Sequence, residues 1–468
     1  MNIKLSFFGA AKNVTGSRYL LETNNTKILI DCGMYQERDY RGRNWEPFPV
    51  DPSTIDTVLL THAHVDHCGF LPKLVKDGFN GDIFCTIATA EIAQIVLMDS
   101  AKIQFEDAKY KKKRHKKEGR DGPYLNIPLY TIDDSRETIK LFRKVKYQEK
   151  VEVKENIEAT YYDAGHILGS AMIKIIVKDG YEKRSILFSG DIGRPNKVIL
   201  RDPSVFEGAD YVIMESTYGN RNHQEICDID DNLEEVINET YKAGGNIIIP
   251  SFAIERSQEL LYELNLLLLE KRIPPLLVFV DSPMANKVTK VFRDHPELFD
   301  EEMTDLLEDH HSPFSFGNLK LVNTVQESKA VNNIHGTSII LAGSGMCTGG
   351  RVKHHIANNI ANPASTLLFV GYQAVGTLGR IILDGAKEIR LFGKNYPVKF
   401  KVKRIEGFSA HAGKNELFDW VINIKKAPRQ VFITHGEAKA AEHFSKYLQE
   451  KTNWNTCVPE YKNTIVLD

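Results

Sequence analysis

Along the first 215 residues, short apolar runs alternate with turn residues, and most of the runs close on a polar tip. Ile28-Leu29-Ile30 leads into Asp31-Cys32-Gly33, the run Thr57 to Leu60 leads into a histidine cluster, and Ile83-Phe84-Cys85 follows. Runs this short, rich in β-branched and large apolar residues, predict strands. From Ala90 to Ala108 the apolar positions recur at helical spacing instead. That predicts one long helix, leading into a basic loop over Lys109 to Lys117. Strands resume after Val151. Ile157 to Asp163 runs into Ala164-Gly165-His166, Ser185 to Phe188 into Ser189-Gly190-Asp191, and Tyr211 to Met214 ends on Glu215.

From about Asn220 to Gly393 the rhythm lengthens. A helix over Asp230 to Tyr241, a strand over Asn246 to Ile249, a helix over Arg256 to Leu269 and a strand over Leu276 to Val280 are followed by strands at Ser338 to Leu341 and Thr366 to Phe369. Strand-helix alternation of this length predicts parallel βαβ units and a second α/β domain. From Tyr396 the chain returns to histidine-bearing tips, Gly407-Phe408-Ser409-Ala410-His411 and Val431-Phe432-Ile433-Thr434-His435. A chain that leaves a set of tips and comes back to it carries an insertion. The expected division is 1–215, an inserted domain over 216–394, and a return over 395–468.

The chemistry concentrates at His62-Ala63-His64-Val65-Asp66-His67. Three imidazoles and a carboxylate within six positions supply more donors than the three protein ligands one open tetrahedral ion needs, and imidazole suits Zn²⁺. Adding the other tips gives His166, Asp191 and His435. Two Zn²⁺ ions per chain are expected, with His62, His64 and His166 on one, Asp66, His67 and His435 on the other, and Asp191 shared. A solvated histidine-rich loop is the bland alternative, and it does not explain donors at successive strand ends. The six cysteines, Cys32, Cys68, Cys85, Cys227, Cys347 and Cys457, contain no C-x-x-C pair, which argues against a disulfide framework or a cysteine zinc site and fits a reducing cytoplasm. No charged-then-apolar leader opens the sequence and no run of about eighteen apolar residues occurs, so no membrane association is expected. With 60 basic and 62 acidic side chains the net charge is −2. Only the run Lys109 to Lys117 is locally strong enough to steer a phosphate backbone, with a solvated loop as its equal alternative.

The motifs H-A-H-V-D-H-C-G, D-A-G-H-I-L-G-S-A and S-G-D-I-G, with Asp31 in I-L-I-D-C-G, resemble the metallo-β-lactamase superfamily. Within it, M-E-S-T-Y-G, G-F-S-A-H-A-G and I-T-H-G-E resemble the three additional motifs of the β-CASP nucleases, the group of the pre-mRNA 3′-end cleavage endonuclease and its bacterial and archaeal relatives. The resemblance implies an αββα sandwich with an inserted α/β β-CASP domain. It places Glu215, His411 and His435 in those three motifs. The runs P-S-F-A-I-E-R, D-S-P-M-A and G-S-G-M-C-T-G-G-R look like the group's inserted domain. One departure is Gly413, where the pattern often carries an acid. The chain is also expected to begin directly at the lactamase-like domain, without the RNA-binding modules that precede it in some archaeal relatives.

These features imply zinc-dependent hydrolysis of phosphodiester bonds in single-stranded RNA, endonucleolytic and also open to a 5′-exonuclease mode. His411 would be the general acid, Glu215 would orient it, and Asp66 would serve the chemistry as well as the metal. Backbone phosphates would be met at the glycine-rich turn by Ser344, Gly345 and Arg351, with Ser251, Arg256 and Tyr218 as weaker lining residues. A homodimer is compatible with this reading. A DNA-directed nuclease, a small-molecule hydrolase of the same superfamily and a non-catalytic scaffold compete with it. His435 tilts the resemblance to RNA, Glu215 and His411 would be idle in a small-molecule hydrolase, and intact donors disfavour a scaffold.

Overall fold

The computed structural model describes residues 2–23, 25–119, 126–223 and 229–468. Cys227 lies outside the described residues. The chain forms two compact units, one of residues 1–195, 202–222 and 411–468, the other of residues 196–201 and 223–410.

In the first unit, two seven-stranded sheets share an apolar filling. One runs Thr464–Leu467, Ile3–Phe7, Tyr19–Glu22, Lys27–Ile30, Thr57–Leu59, Asp82–Thr86, Phe142–Val145. The other runs Thr456–Cys457, Gln430–Thr434, Tyr211–Glu215, Glu182–Phe188, Ala171–Asp179, Ile157–Asp163, Lys150–Lys154. Successive strand residues point to opposite faces, so alternate positions sort into separate layers. Ile3, Leu5 and Phe7 from one sheet meet Ile173, Ile175, Phe188, Ile213 and Phe432 from the other. The intervening residues Leu187, Val212, Met214, Val431 and Ile433 face outward, where Leu417, Trp420 and Val421 of the helix Lys414–Val421 and Phe444 and Leu448 of the helix Ala438–Thr452 cover them. This helix-backed sandwich is the αββα arrangement.

Strand direction gathers the tips. Lys27–Ile30, Thr57–Leu59 and Asp82–Thr86 run parallel, as do Glu182–Phe188, Tyr211–Glu215 and Gln430–Thr434. The C-terminal ends of each parallel group therefore open on one rim, where α/β sheets place their chemistry.

The second unit is built on a six-stranded sheet in the order Leu319–Leu321, Leu277–Asp281, Ser338–Ala342, Ile247–Pro250, Thr366–Phe369, Lys401–Arg404, with every pairing parallel. Its central strands read Ile-Ile-Ile-Pro, Ser-Ile-Ile-Leu-Ala and Thr-Leu-Leu-Phe and are buried throughout, as strands covered on both faces must be. The strand Lys401–Arg404 pairs with Thr366–Phe369 and belongs to this sheet, so the return to the first unit comes at His411 and not at 395.

The basic run is not a loop. The helix Ile87–Glu118 continues through it and ends at Gly119, whose left-handed backbone (φ 61°) lets its N–H reach the His115 carbonyl. Among the described residues no helix is long and apolar enough to cross a membrane.

Candidate metal centre

The loop His62 to His67 is held by backbone contacts before any metal is considered. Ser17 N–H donates to the Asp66 carbonyl (2.8 Å), Cys32 N–H to that of His67 (2.7 Å), and Met34 N–H to that of Val65 (3.0 Å). Gly33 sits in the middle of this cradle, where a Cβ would lie 1.5 Å from the Asp66 carbonyl oxygen. No side chain fits there.

Asp31 closes the floor. Its carboxylate accepts from Thr61 N–H (2.8 Å) and faces His67 Nδ1 at 2.7 Å, which leaves His67 Nε2 as a lone pair aimed away from the floor. Asp31 itself has φ 58° and His435 has φ 47°, both in the left-handed region that non-glycine residues avoid. Strain of this kind persists where surrounding contacts dictate it; at His435 its N–H donates to the Ala10 carbonyl (2.7 Å) and its carbonyl accepts from Thr217 Oγ1 (3.0 Å).

Two donor groups result. His62 Nε2 and His166 Nε2 stand 3.1 and 3.2 Å from His64 Nδ1, and both lie 3.5 Å from Asp191 Oδ2. His67 Nε2 stands 3.0 Å from His435 Nε2, which is 3.6 Å from Asp66 Oδ2. Asp191 Oδ1 is 3.3 Å from His67 Nε2 and 3.5 Å from His435 Nδ1, so one carboxylate faces both groups. Neither oxygen of this buried Asp191 accepts a hydrogen bond. A buried, unsatisfied carboxylate is costly unless a cation completes it. The donor set of imidazoles and carboxylates therefore fits a metal ion.

Electrostatics differ between the two groups: burial opposes protonation of His67 and His435, but Asp191 and Asp31 raise the first and Asp191 and Asp66 raise the second, so on this side a metal must displace protons. Burial, aided by the neighbouring His67, holds His62 well below the usual imidazole range, and burial lowers His64 to about 4, so both present neutral nitrogens. Burial works against ionised Asp66 and Asp191, but the surrounding imidazoles outweigh it; His435 brings Asp66 to about 2, and His435, His67 and His62 keep Asp191 well below the carboxylate range.

His411 stands beside these groups. Its Nδ1 lies 3.1 and 3.2 Å from the two carboxylate oxygens of Glu215, and its ring centre is 4.6 Å from that of His166. Glu215 is fixed by the Ile192 N–H (2.6 Å). Burial opposes protonation of His411, but Glu215 and Asp191 overcome it and push the imidazole up to about 10. His411 is not at a strand tip. Its backbone instead pairs with Gly193, and Ala412 N–H donates to the Ile192 carbonyl (2.8 Å), which ties it to the segment after Asp191. Where the family pattern suggested an acid at 413, Glu416 reaches back to Gly413 N–H (2.6 Å) and pairs with the buried Arg194 (3.1 Å). An acid three positions after a helix start is a capping signal readable in the sequence.

The residues expected to meet phosphate behave differently. They lie in the second unit, and their polar groups are already engaged. Arg351 donates to Asp281 Oδ1 (2.5 Å) and to the Asn323 carbonyl (2.8 Å), Ser344 Oγ accepts from Thr348 N–H (3.1 Å), and the Gly345 carbonyl accepts from Gln373 (2.9 Å). Arg351 anchors the glycine-rich turn to the sheet. Of the weaker candidates, Arg256 pairs with Glu259 (3.0 Å) and donates to the Val370 carbonyl, Ser251 hydrogen-bonds Ser257 (2.9 Å), and the Tyr218 ring lies 6.1 Å from that of His411. His355, 2.6 Å from Asp281, belongs to the anchor.

Comparison with known proteins extends this picture over the chain. Residues 20–212 match the metallo-beta-lactamase superfamily domain, 257–382 the Beta-Casp domain, and 395–459 the Zn-dependent metallo-hydrolase RNA specificity domain. Ribonuclease TTHA0252 of Thermus thermophilus is 36% identical over 441 residues, 94% of this chain and 95% of that protein. Transcription termination factor FttA of Methanosarcina mazei is 32% identical over 97% of this chain and 70% of its own length, and an RNase J-like protein of Methanocaldococcus jannaschii is 31% identical over 98% of each. A crystal structure of a protein of unknown function from Enterococcus faecalis shares the fold over the full length of both chains, with a TM-score of 0.56 and 13% identity.

Proposed function

The chain belongs to the β-CASP group of the metallo-β-lactamase superfamily, and on that premise we propose that it is a ribonuclease holding two Zn²⁺ ions and cleaving single-stranded RNA. Metal-dependent hydrolysis of RNA follows from the family. The choice of zinc, the count of two and the form of the substrate are our reading of this chain.

The observation that carries the reading is Asp191. Its two oxygens, buried and without a hydrogen-bond donor, face two separate histidine groups. His62, His64 and His166 would hold one ion, Asp66, His67 and His435 the other, with Asp191 between them. When bound, such ions lower the pKa of water towards neutrality and stabilise charge on a phosphoryl group.

The chain's own residues do the rest. His411 keeps Nδ1 towards Glu215, which directs its Nε2 to the role of delivering a proton to the departing ribose oxygen. Glu215, itself tied to Ile192, orients the ring and selects that tautomer. Asp31 and Thr61 hold His67 from below and fix the direction of its Nε2. The depth of the site bears on the form of the substrate. His62, His67, His166 and Asp191 are each 1% exposed, so a scissile phosphate must enter a recessed floor. A splayed single strand can do this more readily than a stiff A-form duplex.

The test is incubation of metal-loaded protein with end-labelled RNA, its annealed duplex and DNA of the same sequence. Cleavage of the single-stranded RNA well above the other two is expected. Equal rates on strand and duplex would overturn the substrate form, and preference for DNA would favour the DNA-directed branch of the group.

A further inference from the structure

The helix Ile87–Glu118 does more than the sandwich needs. Its first half is packed, with Ala88, Ile92, Ala93, Val96 and Leu97 buried. Beyond Ala101 the inward contact narrows to one stripe. At 3.6 residues per turn Ala101, Gln104, Ala108 and His115 share a side; Ala101 and Ala108 are buried, and Gln104 accepts from Leu129 N–H (3.1 Å). Flanking this stripe, and centred about 120° round the helix from it, Lys109, Lys112, Lys113, Lys116 and Lys117 fall within an arc of about 140°, and all five are exposed. Among the described residues none of the five pairs with a carboxylate. Tyr110, 67% exposed, borders the same face.

Neither bland account covers this concentration. A solvated loop is excluded because the segment is helical and closed by a left-handed cap at Gly119. Interaction with the helix dipole favours cations only in the last turn, which leaves Lys109, Lys112 and Lys113 unexplained. Along the helix Glu106 and Asp107 precede the run, and Glu118, which follows it, is engaged by Arg114 at 2.8 Å. On a chain of net charge −2, a rigid face of five lysines is a local exception.

We propose that this lysine face of the helix, Lys109 to Lys117, is an exosite for the sugar-phosphate backbone of RNA, engaging the substrate away from the metal cluster. The inference rests on the reading of the chain as RNA-acting. Its geometry follows from where the helix starts. Thr86 and Thr89 hydrogen-bond the Gly169 carbonyl (2.6 and 2.7 Å) in the loop that carries His166, so the helix begins at the metal site and leads away from it. At about 1.5 Å per residue Lys109 lies about 30 Å along the axis from Thr89. With about 3.4 Å between phosphates of a stacked strand, about nine nucleotides cover that distance. A short RNA can occupy the centre without reaching the face, whereas a long one can use both. Tyr110 offers a ring on which an unpaired base can stack.

The test compares the full-length, metal-loaded protein with two variants, Lys109, Lys112, Lys113, Lys116 and Lys117 all changed to Gln, or all to Arg, after circular dichroism has shown equal helix content. Binding of a labelled thirty-nucleotide unstructured RNA is followed by fluorescence anisotropy in a His411→Ala background across a salt series. Cleavage of the same RNA and of a four-nucleotide RNA is followed with His411 intact. Neutralisation is expected to weaken thirty-nucleotide binding about tenfold or more at low salt. It should also flatten the slope of log K against log salt by about 2 where three of the five lysines meet phosphates at once and by about 3.5 where all five do, since each phosphate contact to a single strand contributes about 0.7. The arginine variant should bind like the parent, and four-nucleotide cleavage should be unchanged. Unchanged affinity and slope in the glutamine variant, or an equal loss on the four-nucleotide RNA, would overturn the exosite. A parent protein that cleaves neither RNA would contradict the ribonuclease reading, and the anisotropy comparison would still decide the exosite.

Discussion

Changing Glu215 to Gln isolates its role because the substitution keeps the shape and the hydrogen-bonding reach of the side chain. Glu215 is 1% exposed, accepts from the Ile192 N–H at 2.6 Å, and faces His411 Nδ1 at 3.1 and 3.2 Å. A charge pair at 3.2 Å is worth about 5 kcal/mol at an effective dielectric of about 20, against the burial cost of both groups. The amide retains the contact but not the charge, and it can present its NH₂ to Nδ1 and invert the tautomer. A rate loss of about 10²-fold is expected, equivalent to about 2.7 kcal/mol of barrier, while His411→Ala should lose about 10²–10⁴-fold. Since Glu215 acts through His411, the two losses should not add, and Glu215→Gln in the His411→Ala background should change little further. The assay is single-turnover cleavage of labelled RNA on the four proteins of this cycle, with the metal content of each measured. Loss of metal in Glu215→Gln, or its full effect persisting without His411, would refute the relay.

Asp31→Asn leaves His67 without its charged partner at 2.7 Å and should weaken metal affinity about 10–100-fold, read by competition with a chelator; undiminished affinity would contradict the supporting role of Asp31. Gly33→Ala places a methyl 1.5 Å from the Asp66 carbonyl oxygen, so the ligand loop must move; metal retention equal to the parent would show that the cradle is not tight. In the second unit, burial and the neighbouring Asp230 push Glu263 up to about 9. A raised carboxyl is protonated in folded and unfolded chains alike below its ordinary range, so its stability is intact at low pH and falls as pH rises towards 9, by about 1.4 kcal/mol per unit. Glu263→Gln should therefore raise the melting temperature at pH 8 much more than at pH 5, and equal shifts at the two pH values would contradict that sign.

The clustering of the donors was legible because each ends an apolar run or its turn, and the parallel strands carry those ends to one rim. Three features were not, each for a physical reason. The helix extends through Lys109 to Lys117 because a single inward stripe of Ala101, Gln104, Ala108 and His115 suffices to seat it, and that stripe has no apolar periodicity to read. The strand Lys401–Arg404 is an edge strand with cations at three of its four positions, a composition that protects sheet edges, so it does not look like part of a buried parallel sheet. Arg351 reads as a free cation after a glycine-rich turn, and nothing local reveals that Asp281, distant in sequence, holds it at 2.5 Å.

The two-ion reading stands or falls on metal content. Elemental analysis of the purified parent protein and of Asp191→Ala, with protein concentration from amino-acid analysis, measures it directly. The shared position of Asp191 predicts two zinc ions per chain in the parent and loss of metal together with RNA cleavage in the variant. One ion per chain in a fully active parent, or two ions retained by Asp191→Ala, would contradict it.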